Sequence, residues 1–180
     1  MVYAKITELS KQFMVYDAVK NRRKFLIKEE NITMIVIKEK RFIEAEEDIL
    51  VHQVNIEGIM DGKIGKQIAE KYPGTKERYV DFCDKNNFIF GRLRGQALVV
   101  REKGKYIANI FAQDRNNNTD YEALEISLKI VKEIAEKYKA SVAIPFKIGC
   151  ENANGEWELV QDVINKVFKG SEVVLYKAED

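Results

Sequence analysis

Histidine, proline and cysteine are nearly missing from this chain of 180 residues, which holds one His, two Pro and two Cys. Two cysteines, Cys83 and Cys150, make no disulfide framework. Together with the lone His52 they also fall short of a zinc-ligand set, and no metal or cofactor is expected. Net charge is lacking too. Lys and Arg number 30 against 29 Asp and Glu, which argues against a dedicated nucleic-acid binder and leaves only a local basic patch open. Apolar runs stay under ten residues, so nothing reads as a membrane span. Residues 1–23 hold no apolar stretch of signal-peptide type. The expected setting is therefore cytoplasmic and reducing. What is present is ample core material. The chain is 46% hydrophobic, which excludes disorder, and its length suits one domain.

The first 33 residues differ from the rest. Ile6, Leu9, Phe13, Tyr16 and Val19 recur at helical spacing. A basic cluster, Lys20 to Lys24, follows, and 24–28 reads as a short strand. This N-terminal extension, 1–33, is expected to pack on the main domain, 34–180, or to offer a contact surface for a protein partner. From residue 34, strands and helices alternate. Strands are expected at 34–37, 49–55, 97–101, 106–111, 141–145 and 172–176. Helices are expected at 63–72, 75–85, 119–139 and 156–168. Thr119 and Glu122 suit a capping box. Tyr121, Leu124, Leu128, Val131, Ala135 and Tyr138 form one stripe behind it. Such alternation predicts an α/β fold whose mixed or parallel sheet is covered on both faces.

Ligands of open α/β sheets sit beyond the carboxyl ends of strands. Two segments are expected there. In 52–65 a buried strand runs into a loop with Gly58, Gly62 and Gly65, then a helix. Glycines permit close backbone approach, and a helix start offers free N–H groups to phosphate. It is no Walker A loop, since the spacing and the Ser/Thr after the GK pair are absent. In 144–157 a second strand ends in a polar loop containing Ile148, Gly149, Cys150 and Asn152. Two such loops side by side make a cleft suited to a diphosphate. His52 has two readings. A position inside a strand favours a structural histidine; a place at the cleft favours a general base. Cys150, near a helix start, is a site of lowered thiol pKa, and a Cys–His pair is one reading. A small half-buried side chain is the other.

At these loops the sequence resembles the macro domain family, and within it the phage- and bacterial-type proteins akin to ADP-ribose 1″-phosphate phosphatases. The matching pieces are HQVNIEGIM (52–60), KQIAEKYP (66–73), YVDFC (79–83), YIANIFAQDR (106–115), TDYEAL (119–124) and VAIPFKIGCENANGEWELV (142–160). They occur in family order over residues 34–178. The resemblance implies a three-layer α/β/α domain with a mixed central sheet. It implies a cleft for ADP-ribose or a related nucleotide. It implies that Asn55 lies near the distal ribose, that Gly58, Met60, Gly62 and Gly65 belong to the first diphosphate loop, and that Ile148, Gly149, Cys150 and Asn152 belong to the second. His52 matches a histidine that positions or activates water in the phosphatase-like branch.

Departures from the pattern fall on the ligand loops. Asp61 and Lys63 stand where relatives carry glycine, and Gly65 where they carry alanine. Glu151 replaces a second-loop glycine and Glu156 an aspartate. Arg41, in KRF (40–42), falls at the adenine-reading aspartate and cannot accept a hydrogen bond from an amino group. No lysine nucleophile stands near Gln113. The expected activity is thus binding or hydrolysis of an ADP-ribose derivative. The alternative is a non-catalytic module for another nucleotide-like ligand or a protein partner.

Overall fold

The computed structural model describes residues 3–4 and 33–178. The helix expected at residues 6–19 and the strand at 24–28 lie outside the described residues. The strands are β1 (Tyr3–Ala4), β2 (Met34–Glu39), β3 (Ile49–Val54), β4 (Ala97–Glu102), β5 (Lys105–Phe111), β6 (Val142–Pro145) and β7 (Glu172–Lys177). They form one sheet in the order β1-β2-β7-β6-β3-β5-β4. The four inner pairings, from β2 through β7, β6 and β3 to β5, are parallel. The edges β1 and β4 pair antiparallel with β2 and β5.

Alternation along β3 shows how the sheet is buried on both sides. Ile49 and Val51 pack into one apolar cluster with Leu124, Leu128, Val160 and Ile164. Leu50 and Val54 point the other way, into a cluster with Ile68, Tyr72, Tyr79 and Cys83. The first cluster lies under α4 (Tyr121–Tyr138) and α5 (Trp157–Val167). The second lies under α1 (Lys63–Lys71) and α2 (Pro73–Lys85). Helices on both faces of a mixed sheet make the covered sheet that the alternation of elements predicts, and the three-layer α/β/α arrangement that the resemblance implied.

Several local expectations are corrected. Helix α2 starts at Pro73, whose fixed φ and missing N–H suit a first turn, and the Glu102 carboxylate accepts from the Thr75 amide at 2.8 Å. The capping box at α4 does not form. Asp120 is the N-cap, and its carboxylate accepts from Ala123 N at 3.0 Å while holding Arg94 at 2.7 Å. Thr119 is thereby freed to face the sheet's carboxyl edge. Tyr138, placed on the buried stripe by spacing, is exposed as the last residue of α4. The short helix α3 (Phe90–Leu93) and a 3-10 turn at Phe42–Glu44 carry no periodicity long enough to read in sequence.

Candidate functional site

A cleft of about 820 Å³ opens at the carboxyl ends of β3, β6 and β7. Among the predicted residues, His52, Asn55, Met60, Gly62, Gly65, Ile148, Gly149 and Asn152 line it; Gly58 and Cys150 do not. The structure adds Gln53, Gln113, Asn117, Phe146, Lys147, Tyr176 and Lys177 to the lining, and it includes Arg41. Most of these sit at or just past a strand end, so the position of a residue relative to a parallel strand's carboxyl end was the signal available for them.

The first loop, 55–62, is organised by one side chain. Asn55 Oδ1 accepts from the Glu57 amide at 2.9 Å, and Asn55 Nδ2 donates to the Ile59 carbonyl at 3.1 Å. The buried Tyr79 hydroxyl, 2.7 Å from Asn55 Oδ1 and 2.9 Å from its carbonyl oxygen, closes the set. The Asn55 amide is thus turned inward on its own loop. Gly58, at φ +76°, is required by the bend. A Cβ there would touch Val80 and Phe88 at 3.7–3.8 Å, on the side away from the cleft. Gly62 then begins α1 without a side-chain cap, and no acidic residue occupies the helix's first turn. The first-turn amides of α1 lack intrahelical acceptors and carry the positive end of the helix dipole toward the cleft. A Cβ on Gly65 would lie 3.3 Å from the Met60 backbone. This glycine lets α1 press against the loop that precedes it.

The second loop is closed by backbone. Gly155 N donates to the Gly149 carbonyl at 2.9 Å, and Thr119 Oγ1 donates to the same oxygen at 2.7 Å. Thr119 N donates to the Ala153 carbonyl at 2.7 Å. Gln53 Nε2 in turn donates to Thr119 Oγ1 at 3.1 Å. Gly149 has φ +75°, and a Cβ on it would lie 2.6 Å from Thr119 Oγ1 and 2.7 Å from Gln53 Oε1. The two loops meet across the mouth: a Cβ on Gly62 would lie 2.6 Å from Asn152 Nδ2. Residues 147–149 and 151–153 face the cleft, whereas the start of α5 at Trp157 is set back from it. The paired helix starts that the two motifs suggested are therefore one helix start, that of α1, facing one closed loop.

His52 is 2% exposed. Its Nε2 lies 2.8 Å from Asn109 Oδ1, across the β3–β5 pairing. Asn109 Nδ2 donates to the Leu98 carbonyl at 3.0 Å, so Oδ1 is the face turned to the imidazole and Nε2 carries the proton. Burial pushes the imidazole down to about 4, against the opposing pull of the Asn109 hydrogen bond. The ring is neutral at physiological pH. Cys150 lies on the opposite side of the sheet, packed against the α4–α5 cluster, so no Cys–His pair forms. Burial first, and then the nearby Glu158 and Glu151 carboxylates, hold its thiol above the ordinary value, with Lys147 opposing. The lowered thiol pKa expected of a helix start is overturned, since the α5 amides do not address the sulfur, whose contact is the Ile148 carbonyl at 3.6 Å. Asp114 turns its carboxylate into its own turn, accepting from the amides of Asn116 and Asn118 at 2.8 Å each. Asp61, Lys63 and Glu151 are exposed at the rim. Among the described residues, no group of three or more His, Cys, Asp or Glu side chains is placed to hold a metal ion, and no helix is long and apolar enough to cross a membrane.

This architecture is the macro domain fold. The macrodomain of Thermus aquaticus DarG matches with a TM-score of 0.67 at 23% identity, covering 81% of this chain and 99% of that one. Thermosipho africanus DarTG, solved in complex with ADP-ribose, matches at 0.66 and 18% identity, over 85% of this chain and 43% of that one. The Oceanobacillus iheyensis macrodomain with MES bound matches at 0.62 and 12% identity, over 98% and 89% respectively. No protein-family model matches the chain, and no curated protein is significantly similar to it in sequence.

Proposed function

We propose that the cleft binds ADP-ribose or a derivative of it, with the diphosphate between the start of α1 and loop 147–153. The observation that carries this reading is the uncapped α1 N-terminus, approached through Gly62 and facing a second loop closed on Gly149. Such a start is a ready anion site. The cleft volume falls within the range of small-molecule sites. The ADP-ribose complex of the similar Thermosipho africanus DarTG supports the same assignment. The amides of Gln113 and Asn117 offer donors and acceptors to a sugar hydroxyl at the distal end, while the Gln53 amide is turned to Thr119. Asn55 acts by shaping the loop. His52, neutral and bonded to Asn109, is a positioning residue that ties β3 to β5 under the loop. Met60, Gly65 and Ile148 shape the floor. In this reading Gly58 and Cys150 contribute conformation and packing.

Asp61 and Glu151 do not forbid a diphosphate. Both are exposed at the rim, where water and salt screen their repulsion. They do favour a second reading, in which the same cleft prefers another nucleotide-like ligand, or in which residues 1–33 present a protein-binding surface beside a non-catalytic domain of residues 34–180. Calorimetric titration with ADP-ribose, ADP and AMP separates the two. Selective binding of ADP-ribose supports the first. A ligand at 100 times its Kd adds about 2.7 kcal/mol of stability, which a thermal melt also resolves. Absence of binding at millimolar ADP-ribose, or binding that appears only after Asp61→Gly with Glu151→Gly, favours the second. Hydrolysis is the finer claim: turnover of ADP-ribose 1″-phosphate or of a mono-ADP-ribosylated protein would establish it, and binding without turnover would limit the protein to recognition.

A further inference from the structure

We propose that the end of the cleft bounded by Arg41, Lys147 and Lys177 is a second phosphate subsite, which takes a phosphate carried on the nucleoside ribose. The proposal rests on the ADP-ribose reading for the orientation of the ligand, and concerns the end opposite Gln53, Gln113 and Asn117. Three cations line this end. Arg41 is exposed and pairs with Glu44, at 3.4 Å within the same 3-10 turn. An exposed pair of that kind is worth little, so the guanidinium is easily redirected. Lys177 Nζ stands 5.9 Å from the centroid of the Phe146 ring. That ring packs on Trp157 at 4.7 Å and is tied into the sheet through Phe146 N, which donates to the Tyr176 carbonyl at 2.8 Å. Phe42 meets Tyr176 edge-on at 6.4 Å, which fixes the turn carrying Arg41 against the same strand ends.

Aromatic faces flanked by flexible cations suit a stacked base with an anion beside it. Two lysines with one arginine suit a phosphate better than the edge of a base. Lysine is a mobile point charge, whereas reading a base edge needs a fixed bidentate donor. Glu39, level with Lys177 across the β2–β7 pairing, and Glu44 and Glu151 are carboxylates near this end, and all three are exposed. A phosphate on the ribose would replace Glu44 as the partner of Arg41.

The test is calorimetric titration at physiological salt with ADP-ribose, its 2′-phosphate, adenosine 2′,5′-bisphosphate, adenosine 3′,5′-bisphosphate and AMP. The 2′-phosphorylated ligand is expected to bind about tenfold more tightly than ADP-ribose, the size of one charge-assisted hydrogen bond. The two bisphosphates show which ribose oxygen carries the phosphate. Arg41→Gln with Lys177→Gln, exposed changes whose folding a thermal melt verifies, are expected to bring the ratio near one. Equal or weaker binding of every phosphorylated ligand relative to its parent, with ADP-ribose itself bound, overturns the subsite alone. A ratio unchanged by the double variant overturns it also. Bisphosphate binding without ADP-ribose binding leaves the subsite standing and overturns the reading of the distal sugar. No binding by any ligand overturns both.

Discussion

The two loops that face each other across the cleft are held by different means. Loop 55–62 depends on one side chain, Asn55, braced from beneath by Tyr79. Loop 147–155 depends on backbone closure, with the Gly149 carbonyl shared by Gly155 N and Thr119 Oγ1 and no room for a Cβ at its hinge. A loop held by a side chain loses its shape by steps as bonds are removed. A loop held by close backbone approach tolerates polar substitutions at its rim and fails at once when its hinge gains an atom. The same contrast explains why Glu151 and Asn152 are accommodated in the second loop: both are exposed, away from the closure.

The sharpest way to break this comparison is Gly149→Ala. Its left-handed φ disfavours any L side chain, and the new Cβ strikes Thr119 Oγ1 and Gln53 Oε1. A loss of about 3 kcal/mol in urea unfolding is expected, with loss of ligand binding. A near-neutral result would show that Thr119 and Gln53 yield freely and that backbone closure is not what holds the loop.

Acid tests the strand beneath the first loop. His52 has a folded pKa of about 4, depressed by burial, against an ordinary 6.5. Between pH 6.5 and about 4 the unfolded chain therefore binds a proton that the folded chain refuses. Stability falls as pH drops through that window and is independent of this group above it. The full contribution is about 3 kcal/mol. The carboxylates Asp48, Asp114 and Glu125, held below their ordinary range chiefly by hydrogen bonds from Ser141, Asn118 and Lys129, act at the low end of the window. Comparing His52→Gln with the parent at pH 7 and pH 5 isolates the imidazole. An equal pH slope in both proteins would show that His52 is not held neutral by burial.

A smaller effect is expected in the first loop itself. Asn55→Ala removes the acceptor and donor that organise residues 57–59 and leaves the Tyr79 hydroxyl with only the carbonyl. About 2 kcal/mol is expected, with weaker ADP-ribose binding. Tyr79→Phe removes one bond of that set and should cost about 1 kcal/mol. If Tyr79→Phe proves as damaging as Asn55→Ala, the brace and not the asparagine holds the loop. The smallest effect is at Gly58. Its φ is as positive as that of Gly149, but a Cβ finds ordinary contact distances. Gly58→Ala should therefore cost only about 1 kcal/mol from backbone strain. The Gly58 and Gly149 pair thus separates conformational strain from steric exclusion.

Much of this was legible from residue order alone. The alternation of strands and helices, the double burial of β3 and the two glycine loops past strand ends follow from spacing and hydropathy, because periodicity reports which faces are covered. The cleft's position follows from the parallel order that such alternation imposes. Less legible were contacts between segments distant in sequence. Nothing near Thr119 announces that its hydroxyl serves Gly149, some thirty residues on, and not the start of α4. Nothing near His52 announces Asn109. Cys150 sits at a helix start in sequence and yet turns its sulfur away from it. Pairing of that kind is set by the register of β3 against β5 and by how loops fold back over the sheet edge. Sequence by itself determined the layers, the core and the neighbourhood of the site. Only the tertiary structure decided which side chains enter the cleft, which hold its walls, and that the imidazole lies sealed beneath it, since hydrogen-bond partners and burial depend on distances that no local pattern encodes.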